Sequence, residues 1–202
     1  PYYLIGHSMG SFVTRKYICD YGHELDGVIV MGTGHQPTPV VLGGKLLANI
    51  TKLIKGDRYR SELISKIMFG AYNKRIKNVR TVNDWLTRDE AVVDEYNAGK
   101  LTTFLFTVNG YRGLMNMILY VRKPRNIERI PKNLPMLMIS GLDDPVGEYG
   151  KGVYRAYNSY HGHIDDIDLR LYEDCRHELC NELNKEEIYE EIYGWIMNHM
   201  SK

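Results

Sequence analysis

The chain has almost no charge of either sign to spare. Its 26 Lys and Arg stand against 25 Asp and Glu, a formal charge of +1, so the electrostatic footprint of a nucleic-acid binder is missing. The nearest approach to a basic patch, Arg122-Lys123-Pro124-Arg125, is short, broken by proline and read as a solvated loop. Cysteine is scarce and odd in number (Cys19, Cys175 and Cys180), unlike the disulfide framework of a small secreted domain. Cys175-x-His177-x-x-Cys180 lacks a fourth ligand at the spacing of a zinc site, so no metal is expected. No apolar run approaches the ~18–20 residues of a membrane-spanning helix, and no signal peptide is visible. The cytoplasm is therefore the expected compartment. There is also no initiating Met and no lead-in: the sequence opens at Pro1-Tyr2-Tyr3-Leu4-Ile5-Gly6, inside a strand pattern. It is expected to be one piece of a longer protein.

What is present reads as an α/β pattern with an interruption. An apolar content of 44% with 25% charged residues is ordinary for a globular domain. A chain of 202 residues is long enough for a full core, and one domain with an insertion is the natural expectation. Tyr2 to Ile5 fits a buried parallel strand, Met9 to Tyr21 has helical spacing ending at Gly22, and Gly27 to Met31 is a second buried strand. Strand, helix and strand in such short compass make a βαβ unit of a parallel sheet. From His35 to Lys100 the strand signal disappears. Val40–Ile54, Tyr59–Tyr72 and Asn83–Asn97 read as amphipathic helices, and Leu105–Val121 as a further one leading back to the sheet. The alternation resumes with a strand over Leu134–Ser140, a helix over Tyr149–Tyr160, an alternating edge strand at Ile167–Tyr172 and a closing helix over Glu186–Met200. The division expected is a sheet core from 1–34 and 102–202, with a helical insertion over 35–101.

Gly6-His7-Ser8-Met9-Gly10 matches the nucleophile elbow G-x-S-x-G, and it follows a strand and opens a helix, as the motif requires. A serine on so sharp a turn is strained, and glycine two residues before and after is expected to relieve crowding there. The first amides of the following helix point at the site, so the backbone N–H of Met9 is the candidate oxyanion donor. A serine hydroxyl needs a base, and the base needs an orienting acid. In the fold that carries such elbows the chain order is Ser, then Asp or Glu, then His. The acid belongs just past a later strand, where Asp143 and Asp144 both stand; the spacing and the rigid Pro145 favour Asp144. The base belongs in the loop after the last strand, which holds His177. His161 and His163 precede that strand, His23, His35 and His199 fit surface positions, and His7 fits a packing neighbour of the serine. Gly32-Thr33-Gly34 lacks the rest of any phosphate-binding fingerprint and reads as a tight turn. Met68, Phe69 and Tyr72 fit an acyl pocket and a plain helical core equally well.

With these residues in view, the chain resembles the monoacylglycerol lipase and lysophospholipase branch of the α/β-hydrolases, often labelled serine aminopeptidase-like. Four passages carry the likeness: Gly6 to Ser11, Asp84-Trp85-Leu86-Thr87-Arg88-Asp89, Gly141 to Gly147, and Tyr172 to Glu182. The resemblance implies the C-terminal part of an α/β-hydrolase fold: a mostly parallel sheet flanked by helices, with 35–101 as an all-helical cap over the site. It implies Ser8 as nucleophile, Asp144 as acid and His177 as base, no cofactor, and an acyl ester or lipid substrate. Transient contact of the cap with a membrane or micelle is compatible with it. Members of that branch carry a further stretch before the elbow strand, including a His-Gly loop that supplies a second oxyanion donor. These 202 residues alone are therefore expected to be inactive or unstable. Two other functions share the pattern: a hydrolase-like module that binds without catalysis, and a serine peptidase on the same fold.

Overall fold

The computed structural model describes residues 1–200. Its strands are β1 (Tyr3–His7), β2 (Gly27–Met31), β3 (Met136–Gly141) and β4 (Ile167–Tyr172). They form one parallel sheet in that same spatial order. The helices are α1 (Met9–Tyr21), α2 (Thr38–Lys55), α3 (Glu62–Phe69), α4 (Glu90–Ala98), α5 (Val108–Tyr120), α6 (Pro124–Ile127), α7 (Lys151–His161) and α8 (Lys185–Met200). Successive strand residues face opposite sides of a sheet, and the two inner strands use both. Val28, Val30, Met136 and Met138 bury against Ile18, Ile127, Ala156 and Tyr160 from the α1, α6 and α7 side. Ile29, Met31, Leu137 and Ile139 bury against Ile188, Ile192 and Trp195 of α8. Each such side chain contributes ~1.5–3 kcal/mol on burial, which is why β2 and β3 read as unbroken apolar runs. No helix among the described residues is long and apolar enough to cross a membrane.

Several expected boundaries move, each for a local reason. β1 is the first in order of the four described strands, and Ile5 on it is 47% exposed. The helix expected over Asn83–Asn97 begins only at Glu90. The Asp84 carboxylate takes the amides of Arg80 (2.6 Å) and Thr81 (3.1 Å), turning the chain before it can coil. Asp89 then caps α4 by accepting from Ala91 and Val92. Ser61 and Thr107 likewise fix the starts of α3 and α5 inside the ranges expected for them. α7 starts at Lys151 because Glu148, Tyr149 and Gly150 all have positive φ.

Between β2 and β3 the chain is helical and builds a core of its own. Val41 and Ala48 of α2, Ile64 of α3 and Tyr111, Leu114, Met115 and Ile118 of α5 pack together with Phe12 of α1. The path into this segment is clamped. Three consecutive carbonyls each accept from a different arginine: Gly34 from Arg15 (3.0 Å), His35 from Arg155 (3.1 Å) and Gln36 from Arg122 (2.8 Å). Arg15 is 1% exposed, and its guanidinium also donates to Tyr160 Oη and Thr33 Oγ1.

Burial and the charges of Arg122, Arg15 and Arg155 push the His35 imidazole down to about 4. Below about pH 6.5 the unfolded chain takes up a proton there that the folded chain refuses until about pH 4. The unfolded state thus binds more protons in that window, and stability falls as pH falls through it. His35→Gln is expected to remove about 1–3 kcal/mol of the acid destabilisation between pH 7 and pH 4. Urea midpoints measured across that range check this, and parallel slopes for both proteins would refute it.

Candidate active site

The carboxyl ends of β1 and β3 and the loop after β4 bring the candidate residues to one rim of the sheet. Ser8 follows β1 directly, with φ 55° and ψ −123°, a conformation a non-glycine residue rarely adopts. It is held by its amide donating to Met31 O (3.1 Å) and by the Ser11 hydroxyl donating to its carbonyl. A Cβ at Gly6 would lie 2.2 Å from Thr14 Oγ1 and 2.7 Å from Gly10 O, so glycine is required there for helix α1 to approach β1. The matching expectation for Gly10 does not hold, since a Cβ there meets nothing within 4 Å. The elbow is crowded on its strand side alone. Met9 is the first residue of α1, and the first amides of a helix lack intrahelical partners.

Asp144 and His177 meet. His177 Nδ1 lies 3.0 Å from Asp144 Oδ2, with both side chains almost wholly buried. A carboxylate only accepts, so Nδ1 carries the proton and Nε2 of the neutral ring is the lone-pair nitrogen. That Nε2 is buried and has no hydrogen-bond partner. Asp144 is held in turn by the Ser140 hydroxyl (3.2 Å to Oδ2) and the Val146 amide (2.8 Å to Oδ1). Asp143 is exposed, its amide donating to Cys175 O.

The imidazole of His177 is enclosed by rings and by backbone. His7, next to Ser8, lies with its ring 4.6 Å from that of His177 and donates from Nε2 to His177 O (3.1 Å). Burial, and then the neighbouring His177, lower the His7 imidazole below its ordinary value, which keeps this donor neutral. Trp85 sits 5.0 Å from the His177 ring on another side, and Tyr72 packs edge-on against Trp85 at 4.9 Å. Burial pushes the Tyr72 phenol up, so it stays protonated beside Asp144. Gly32, with φ 58°, has its Cα against the same imidazole: a Cβ there would come within 3.1 Å of His177 Cε1.

The other histidines lie elsewhere. His161 stacks on Tyr157, His163 bonds Ile130 O, and His199 contacts Trp195 and Asp166. Cys175 and Cys180 are free thiols, and the described residues hold no group of three or more His, Cys, Asp or Glu suited to a metal ion. Sequence reasoning assigned no role to Ser140, Val146 or Trp85. Ser140 ends a strand as an ordinary residue and Val146 acts through its backbone, so neither carried a signal of its own, while Trp85 stood out only within the passage Asp84–Asp89 that carries the family likeness.

A model of the family described as serine aminopeptidase, S33, matches residues 1–184. A monoglyceride lipase homolog of monkeypox virus is 25% identical over 99% of this chain, and the chain spans 64% of that protein's length. A thermostable carboxyl esterase from Bacillus coagulans, solved with glycerol, superposes with a TM-score of 0.86 at 25% identity. That match covers all of this chain and 64% of the esterase. A lipase solved in an open form superposes with a TM-score of 0.87 at 23% identity, covering all of this chain and 66% of the lipase, and shares the fold.

The base-bearing loop packs tightly on the end of β3. A Cβ at Gly141 would lie 2.0 Å from Cys175 O and 2.3 Å from Arg176 O. Gly141→Ala is expected to cost ~2–3 kcal/mol through displacement of that backbone. A denaturant midpoint unchanged from the parent would contradict this packing.

Proposed function

Because this chain belongs to the serine aminopeptidase, S33, family of α/β-hydrolases, we propose that it carries the catalytic residues of a serine hydrolase that cleaves carboxylic esters. Ser8 Oγ attacks the acyl carbonyl carbon as its proton passes to His177 Nε2. Asp144 holds the Nδ1–H tautomer and stabilises the imidazolium that forms. The Met9 N–H binds the developing oxyanion. The tetrahedral intermediate collapses, the alcohol leaves with the proton from Nε2, and the acyl group remains on Ser8. Water then attacks that ester, again giving its proton to His177; the bond from the acyl carbon to Ser8 Oγ breaks, Oγ takes the proton back from Nε2, and the acid is released. The observation that carries this reading is the buried Asp144–His177 hydrogen bond, which leaves Nε2 without a hydrogen-bond partner among the described residues, while His7, next to Ser8, packs on the same ring.

The substrate is proposed to be a monoacylglycerol, lysophospholipid or similar ester, in line with the viral monoglyceride lipase homolog and the carboxyl esterase. In this reading the helical segment 35–101 acts as a cap. Its exposed Leu42, Leu46 and Ile50 on α2 and Leu63 and Ile67 on α3 suit transient contact with a lipid surface. The family's description also keeps a serine peptidase in view, with the same triad acting on an amide.

A panel of acyl esters of graded chain length, alongside aminoacyl anilides, tests both substrates in the natural protein. Ester turnover is expected, with Ser8→Ala abolishing both turnover and labelling by a fluorophosphonate probe. Asp144→Asn is expected to lower kcat by roughly 10³–10⁴-fold, because the wrong tautomer is then favoured. Full ester turnover by Ser8→Ala would end the reading, and a protein that binds esters without labelling would be a binding module.

A further inference from the structure

We propose that Glu182 and Arg88 are positioning residues for His177, fixing the backbone around the imidazole to the turn that Asp84–Arg88 makes in the helical segment. The inference rests on the reading of His177 as the base. Glu182 is 0% exposed and accepts from two separate stretches of chain. Arg88 donates to it from Nε (2.8 Å) and from its own amide (3.3 Å), and Arg176 donates its amide at 2.7 Å. Arg176 directly precedes His177. Directly after His177, the Glu178 amide donates to Leu86 O at 2.7 Å. The Arg176 guanidinium closes the frame by donating to Asp84 O (2.7 Å) and Thr87 O (2.9 Å), and the Thr87 hydroxyl donates to Asn181 O (2.8 Å). His177 is thus bracketed, one residue to either side, by bonds to the same turn, which also carries the Trp85 ring packed on the imidazole.

Stability by itself does not call for a carboxylate at this depth. A buried ion pair is often no better than apolar residues of the same volume, since desolvation offsets the attraction. What a carboxylate supplies here is geometry: two oxygens that accept several N–H groups from different segments and fix them relative to one another. Misplacing a catalytic group by about 1 Å costs on the order of 10²-fold in rate, so a loop carrying a base gains from such a frame. Neither Glu182 nor Arg88 touches the reacting atoms, and both act through the backbone of the loop.

The test uses the natural protein, with active sites counted by a fluorophosphonate titrant and kinetics expressed per titrated site. Arg88→Met removes the guanidinium; Arg176→Met is a milder cut of the same frame that leaves no buried charge unpaired. Both are expected to lower kcat per site at least tenfold with KM within about threefold, the pattern of lost transition-state alignment. Arg88→Lys, which keeps a cation at Glu182, is expected to recover part of the loss. Variants with fewer titratable sites but an unchanged rate per site would overturn the inference, reducing the frame to a folding role. A parent protein that fails to label at Ser8 would overturn the hydrolase reading and this inference with it. A parent that labels, beside variants that match it per site, defeats the positioning role alone.

Discussion

The orientation of one buried imidazole is what the surrounding structure controls most closely. In the proposed role, a ring that takes a proton on one nitrogen while its other nitrogen faces a carboxylate has two torsions to fix and a tautomer to choose. Asp144 chooses the tautomer, since a carboxylate receives a proton from Nδ1 and leaves Nε2 bare. Ser140 and the Val146 amide keep that carboxylate from turning away. His7 and Trp85 lie against the ring, and Gly32 brings backbone to its Cε1 edge. Burial without a partner at Nε2 carries a desolvation cost of ~1–3 kcal/mol. A fold keeps such an atom only where the rest of the shell over-determines its position, and the number of restraints on this ring meets that condition.

Two attachments of the helical segment meet the two halves of this pair. At its entry, Gln36 donates from Nε2 to Val146 O, and the amide of that same Val146 holds the Asp144 carboxylate. Farther along, the Asp84–Arg88 turn grips the loop around His177. The segment therefore reaches Asp144 through one strap and the loop bearing His177 through the other. Its entry is stiffened by three arginines on three successive carbonyls, and Arg155 is held in addition by the Glu148 carboxylate.

The elements most legible in the sequence are those whose signal is local. β2 and β3 are unbroken apolar runs because both of their faces are covered, and that pattern survives without knowledge of the neighbours. Ser8 is legible because its strain demands Gly6, a requirement written two residues away. Asp144 and His177 are legible through their distance from strand ends, since a parallel sheet delivers all such loops to one rim. The failures share the opposite property. Gly10 was expected to relieve crowding that the structure shows only at Gly6. The stretch from Asn83 to Arg88 has helical spacing of apolar residues, yet it is a turn. Trp85 and Leu86 are apolar because they pack near the His177 loop, not because they line a helix face. Apolar periodicity records that a residue is covered and is silent about what covers it.

That distinction bears on how the segment between β2 and β3 behaves. Its own core joins α2, α3 and α5 around Tyr111 and Met115, but much of the outer face of α2 is apolar and exposed. Regions open locally in proportion to how little buried apolar contact holds them. Within this segment the lasting constraints are therefore the α5 core, the arginine clamp at Gly34–Gln36 and the buried Glu182 contact, while the outer α2 and α3 surface contributes least. Motion of the segment is then confined to the parts remote from His177, and the turn bearing Trp85 moves only if the loop bearing the base moves with it. A segment built this way can yield at its outer surface while the geometry between Asp144 and His177 stays fixed, because the two fall on different helices and different bonds.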